Sequence, residues 1–179
     1  MSIFVNTVDS IGDEALTNSI IDRSITEIRD NYATSIGDYA FQSCSALTTV
    51  DFPAVTSIGS YAFYSCSKLK AADFPMVTSI IDNSAFNGCS ELTTVDFPAA
   101  TRIGNSAFYS CSKLTALILR SATMATLSNT NAFSSTPIKS GTGYIYVPAA
   151  LVDSYKAANN WSTYANQIRA IEDYPDICG

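Results

Sequence analysis

An Ala-Phe pair recurs at positions 40–41, 62–63, 85–86, 107–108 and 132–133, in steps of 22, 23, 22 and 25 residues. A longer phrase travels with it: LTTVDFPAVTSIGSYAFYSCSKL at 47–69, LKAADFPMVTSIIDNSAFNGCSEL at 69–92 and LTTVDFPAATRIGNSAFYSCSKL at 92–114. The extra residue of the 23-residue step falls in Ile80-Ile81-Asp82, where other copies have Ile-Gly. A fixed period of this length dictates a solenoid, because one unit alone cannot bury its apolar face and must stack on its neighbours.

Each copy divides into three parts. In the first, Val50, Asp51 and Phe52 alternate with period 2, so Val and Phe point inward, Asp points outward, and Pro53 ends the strand. In the second, Val55 and Ile58 mark another short extended segment. Gly37, Gly59 and Gly104 then supply a turn. In the third, Asp38, Ser60, Asn83, Asn105 and Thr130 stand two residues before Ala and are helix-capping types. Ala40, Phe41, Cys44 and Leu47 follow at spacings of three and four, which predicts a helical turn.

The repeat weakens at both ends. SIGDEAL at 10–16 is a degenerate copy of SIGDYAF at 35–41, and residues 1–9 carry no assignment. At 29–31, Arg-Asp-Asn stands where later copies have Asp-Phe-Pro, which predicts a more polar capping repeat over residues 1–37. Regular repeats occupy 38–136. From 137 the chain reads as a turn at Gly141–Gly143 and a last strand at Tyr144–Val147. Two apolar-striped helices, 149–158 and 162–171, then close the core around Trp161.

Composition narrows function chiefly by exclusion. The chain has 179 residues and a net charge of −6, and its ten Lys and Arg form no cluster, so the basic footprint of a nucleic-acid or anionic-membrane binder is missing. No apolar run approaches membrane-spanning length, and MSIFVNTVDS lacks the features of a secretory signal. The absence of histidine removes Ser-His-Asp, Cys-His and HExxH chemistry, and no phosphate-cradling glycine motif occurs. The expectation is a non-enzymatic chain without a cofactor or metal. Cys44, Cys66, Cys89 and Cys111 occupy one site per repeat, so they point the same way and read as a reduced internal column. Cys178 is expected to be exposed.

Two rows of side chains are candidates for recognition. Asp51, Asp73 and Asp96 share the outward site of the first strand, preceded in register by Arg29 and followed by Ile118 and Tyr146. Carboxylates stacked about 4.8 Å apart repel one another. Such a row could bind a basic partner or Ca²⁺, or be a copied, water-screened position. The second set is aromatic: Tyr39 and Tyr61 share one outward site, and Tyr64 and Tyr109 share another. Tyrosine suits protein and glycan contacts through a large apolar ring with a polar tip.

The pattern LxxVxFPxVTSIGxxAFxxCxxL resembles the BspA-type leucine-rich repeat over roughly residues 10–148, and the closing IYVPAALVDSYKAANNWSTYANQIRAI resembles the segment that follows such repeats in bacterial and prophage-encoded chains. The resemblance implies an α/β repeat solenoid, a right-handed leucine-rich-repeat stack with short strands and capped helical turns. It also implies a surface-exposed adhesion or interaction role toward a protein or cell-surface macromolecule, with no enzymatic activity. The alternatives are a structural or receptor-facing module of a phage or other large assembly, and a glycan-binding module.

Overall fold

The computed structural model describes residues 2–5, 24–80 and 83–178. The SIGDEAL copy and the Ile81-Asp82 insertion lie outside these residues. Among the described residues, two parallel sheets run along the stack. The larger has eight strands, in spatial order β1 (Ser2–Val5), β2 (Glu27–Asp30), β4 (Thr49–Asp51), β6 (Ala71–Asp73), β8 (Thr94–Asp96), β10 (Ala116–Ile118), β12 (Tyr144–Val147) and β13 (Ile168–Ala170). The smaller has five two-residue strands: β3 (Ser35–Ile36), β5 (Ser57–Ile58), β7 (Ser79–Ile80), β9 (Arg102–Ile103) and β11 (Thr126–Leu127). Equivalent residues pair in register, Val50 with Ala72 and Ile58 with Ile80, so each repeat is one coil of the solenoid.

The period-2 pattern buries Val50 in the main sheet and Phe52 just after its strand, while Ile58 is buried in the second sheet and Val55 just before it. Inside, equivalent aromatics form columns. Phe41, Phe63, Phe86, Phe108 and Phe133 follow one another at centroid separations of 5.1, 5.2, 5.6 and 5.8 Å, and Phe52, Phe74 and Phe97 form a second column beside them. Threonine hydroxyls reinforce the second sheet. Thr78 donates both its N–H and its hydroxyl to Thr56 O, and Thr101 does the same to Thr78 O.

The third part of each repeat differs from the expected capped helix. The residue before Ala is left-handed in four coils, at Tyr39, Tyr61, Ser84 and Ser106, and so is the second residue after Phe, at Ser43, Ser65, Gly88, Ser110 and Ser135. Alternation of hand sends every second N–H to the next coil: Tyr39, Phe41 and Ser43 donate to Ser60, Ala62 and Tyr64 carbonyls at 2.7–2.8 Å. Local bonds such as Cys44 N–H to Phe41 O, 3.2 Å, preserve the three-residue spacing that suggested a helix. The capping side chains change role accordingly. Asp38 Oδ1 accepts the Ser60 N–H of the next coil at 2.7 Å, and in the last coil Asn129, not Thr130, caps the 3₁₀ turn Thr130–Phe133. Gly59 also serves a purpose other than a positive φ: a Cβ there would lie 2.5 Å from Asp38 Oδ1, so it is glycine because the preceding coil passes so close.

Both ends depart from expectation. At the first coil, Asp30 takes the inward phenylalanine site and is fully buried, accepting the Tyr32 and Ala33 N–H groups at 2.9 and 3.0 Å. At the other end α1 (Pro137–Ser140) stops at Gly141 in the left-handed conformation, and α2 (Val152–Ala157) follows β12. The expected second cap helix is a 3₁₀ segment, Trp161–Gln167, leading into β13, so Tyr144–Val147 is not the last strand. The cap acts on the open end of the last coil. Tyr155 Oη accepts the Ala125 N–H and Trp161 Nε1 donates to Ala125 O, each at 2.8 Å, while the Tyr164 hydroxyl donates to Thr130 O.

Candidate recognition surface

The outward row of the main sheet has the register the sequence predicts: Arg29 opposite Asp51, Asp51 opposite Asp73, Asp73 opposite Asp96, Asp96 opposite Ile118 and Ile118 opposite Tyr146. The Asp73 side chain is outside the described part. Arg29 Nε lies 2.7 Å from Asp51 Oδ2, and Arg120 reaches Asp96 Oδ2 with its Nη2 at 2.7 Å and its Nε at 2.8 Å. The row is therefore partly neutralised within the chain, and each pair is exposed enough for water to screen it. Among the described residues no group of three or more carboxylates, cysteines or histidines is arranged to hold a metal ion.

The C-terminal end of this face is covered. Ile118 and Tyr146 are buried together with Ala116 and Cys178, with Tyr144, Ile171 and Tyr174 packed around them. The segment Ile171–Asp173, a 3₁₀ turn, and α3 (Pro175–Cys178) lie over the sheet, and Tyr174 meets Tyr146 edge-on at 5.3 Å. Tyr146 thus does not present a free contact surface, and Cys178 is buried rather than exposed. The sequence carried a signal for this: an isoleucine and a tyrosine at outward sites need a cover.

The tyrosines lie on another face, made by the left-handed turns. Tyr39 and Tyr61 stack with ring centroids 5.0 Å apart and an interplanar angle of 1°, and Tyr64 packs against Tyr61 at 5.6 Å and 57°. Three of the four predicted tyrosines form one cluster. Tyr109 stands two coils away in the Tyr64 row, 40% exposed, with Asn87 between them. Tyr39 and Tyr61 have φ values of 58° and 57°. For a bulky residue that conformation costs about 1 kcal/mol or more, and the equivalent sites of the next two coils hold Ser84 and Ser106.

The cysteine column is structural. The thiols of Cys66, Cys89 and Cys111 donate to the carbonyls of Phe41, Phe63 and Phe86 in the preceding coil at 3.1, 3.2 and 3.1 Å. All five cysteines are free. Burial pushes the Cys89 thiol well above its ordinary range and Cys111 up to about 12, so no nucleophilic thiolate forms near neutral pH. No described helix is long and apolar enough to cross a membrane.

Comparison with known proteins agrees with this architecture. The BspA-type leucine-rich repeat region matches residues 34–145 in six copies. A leucine-rich cell surface protein from Faecalibacterium prausnitzii A2-165 superposes with a TM-score of 0.58 at 28% identity, over 78% of this chain and 43% of its own. The leucine-rich repeat protein of T. pallidum gives 0.57 at 21% identity, over 82% of this chain and 63% of its own. The pneumococcal vaccine antigen PcpA gives 0.64 at 15% identity, over 93% of this chain and 41% of its own. At those identities the last two are likenesses of fold, and the chain spans less than two thirds of each solved protein. No curated protein sequence matches significantly. In-register coils, columns of phenylalanine and cysteine and the six matched repeats place this chain in the BspA-type leucine-rich repeat family.

Proposed function

We propose that the chain is a non-enzymatic recognition module of a bacterial surface protein, binding a protein or other macromolecule of a host or neighbouring cell. The observation that carries this reading is the tyrosine cluster. Tyr39 and Tyr61 are held partly exposed in a conformation that the backbone disfavours for their type, at sites where serine also serves the fold. A fold gains little from that choice; a contact surface gains rigid aromatic area. The family membership and the F. prausnitzii cell surface protein support the location. The partly ion-paired row of Asp51, Asp73 and Asp96 is the competing surface.

Binding to intact host cells and immobilised extracellular-matrix extract decides between them. The wild type is compared with Asp51→Asn/Asp73→Asn/Asp96→Asn and with Tyr39→Ser/Tyr61→Ser/Tyr64→Ser/Tyr109→Ser. Loss in the tyrosine variant with retention in the aspartate variant is expected. The opposite pattern moves the site to the sheet, and no binding by the wild type overturns the recognition reading.

A further inference from the structure

The face made by the left-handed turns is almost free of charge. Its five segments, 38–43, 60–65, 83–88, 105–110 and 130–135, contain one residue that is charged at neutral pH, Asp38, in a chain of which 15% is charged. Asp38 Oδ1 is already engaged by the Ser60 N–H. With alanine, phenylalanine and Ser84 buried, the side chains left exposed or half-exposed besides Asp38 are tyrosine, serine, asparagine, glutamine and threonine. The main sheet, by contrast, presents Glu27, Arg29, Asp51 and Asp96.

The face also has relief. Tyr64 and Tyr109 occupy the same site two coils apart, about 10 Å at the ordinary strand spacing, with Asn87 between them. Beside Asn87 lies Gly88, at φ 78°, where the adjacent coils have Ser65 and Ser110 at φ 59°. Serine takes that hand in the adjacent coils only with the strain an L residue meets there, which glycine avoids. A Cβ on Gly88 would lie 3.4 Å from Ser65 Cα and Oγ, so the glycine also leaves the space beside Ser65, between the two tyrosines, without a side chain. Tyr61, packed on Tyr64, thickens the N-terminal wall.

Building on the recognition reading above, we propose that this saddle takes a neutral polysaccharide. Aromatic rings accept the C–H face of a sugar, and amides and hydroxyls pair with its hydroxyls without the desolvation penalty of a buried charge. The lack of charge removes the complementary-charge contacts that an anionic or cationic partner would use. The sugar sits over Asn87 and Gly88 between Tyr64 and Tyr109, and the chain of sugars runs along the solenoid across successive coils.

Affinity electrophoresis in native gels containing mannan, galactomannan, β-1,3-glucan or glycogen tests the assignment, with heparin as the anionic comparison. At least one neutral polysaccharide is expected to retard the wild type. Tyr64→Ser/Tyr109→Ser should weaken retardation by roughly tenfold or more, because both aromatic anchors are lost. Tyr64→Phe/Tyr109→Phe, which keeps the rings, should retain most of it. Retardation should survive about 0.5 M NaCl, which screens charge contacts. Retardation by heparin alone, retardation by none, or equal behaviour of the serine variant overturns the glycan assignment. If the wild type binds cells through its tyrosines and that binding survives enzymatic removal of glycans, the partner is a protein: recognition stands and the glycan assignment falls.

Discussion

The Cys66 thiol donates a hydrogen bond to the Phe41 carbonyl of the preceding coil at 3.1 Å, and the same bond recurs from Cys89 to Phe63 and from Cys111 to Phe86. In these three coils the cysteine therefore adds a hydrogen bond to a buried carbonyl of the coil before it. Cys89→Ala should destabilise the fold by about 1–3 kcal/mol, from the lost sulfur volume together with the loss of one of the two hydrogen bonds to the Phe63 carbonyl, which keeps the Cys66 N–H at 3.2 Å. Chemical denaturation measures it. A loss within error of zero would show that the thiol bond contributes nothing.

The same column sets a dependence on pH. Folding raises the thiol pKa of Cys89 and Cys111 above the ordinary value of 9.0, through burial, so between that value and about 12 the unfolded chain has lost protons that the folded chain keeps. The unfolded state then binds fewer protons, and stability falls as pH rises. Urea midpoints should be unaffected by these thiols below pH 8 and decline from about pH 9 upward. In Cys89→Ala/Cys111→Ala the decline should be shallower; an unchanged slope contradicts the assignment.

At the C-terminal end, Tyr155 and Trp161 serve the two backbone groups of a single residue, Ala125. Tyr155→Phe leaves the Ala125 N–H without its acceptor and should cost about 1–3 kcal/mol. Trp161→Phe should cost at least as much, since it also removes ring area packed on Phe133. The two losses should fall short of additive, because both bonds hold the backbone of one residue and the two rings touch edge-on at 5.1 Å. Strict additivity in a double-mutant cycle would show that the two bonds are independent.

Cys178 reports on the segment that covers β10 and β12. In the native protein its thiol is buried beside Ala116, Ile118 and Tyr146, so it should resist a thiol reagent at pH 8 until the protein unfolds. Tyr174→Ser, which removes the edge-on contact with Tyr146, should speed the reaction of this thiol alone while the four column thiols stay protected. Mass mapping of the labelled cysteine checks this; equal protection in the variant would mean that Tyr174 does not hold the segment down.

The stacking, the strand register and the reduced cysteine column were legible because each rests on period alone, and the C-terminal cap because apolar stripes flank Trp161. A side chain that recurs every 22 or 23 residues must meet its own copy. The turn geometry was not legible. Ala40, Phe41, Cys44 and Leu47 keep helical spacing through local carbonyl bonds, yet residues of opposite hand between them divert alternate N–H groups to the next coil. Gly88 among serines in that row was the available clue. Of the recognition surface, the tyrosine rows were visible but not their union. Tyr39 and Tyr61 belong to one row and Tyr64 to another, and only the turn brings Tyr64 onto Tyr61. Burial of Tyr146 and Cys178 depended on a chain reversal after β13 that no repeat encodes.

The central claim is that the surface tyrosines serve contact rather than folding. The direct measurement is the unfolding free energy of Tyr39→Asn/Tyr61→Asn. Asparagine adopts the left-handed conformation more readily than tyrosine, which offsets the lost stacking of about 0.5–1.5 kcal/mol. The double variant should therefore stay within about 1 kcal/mol of the wild type. A loss of about 3 kcal/mol or more would make the pair part of the fold's own support and contradict the claim.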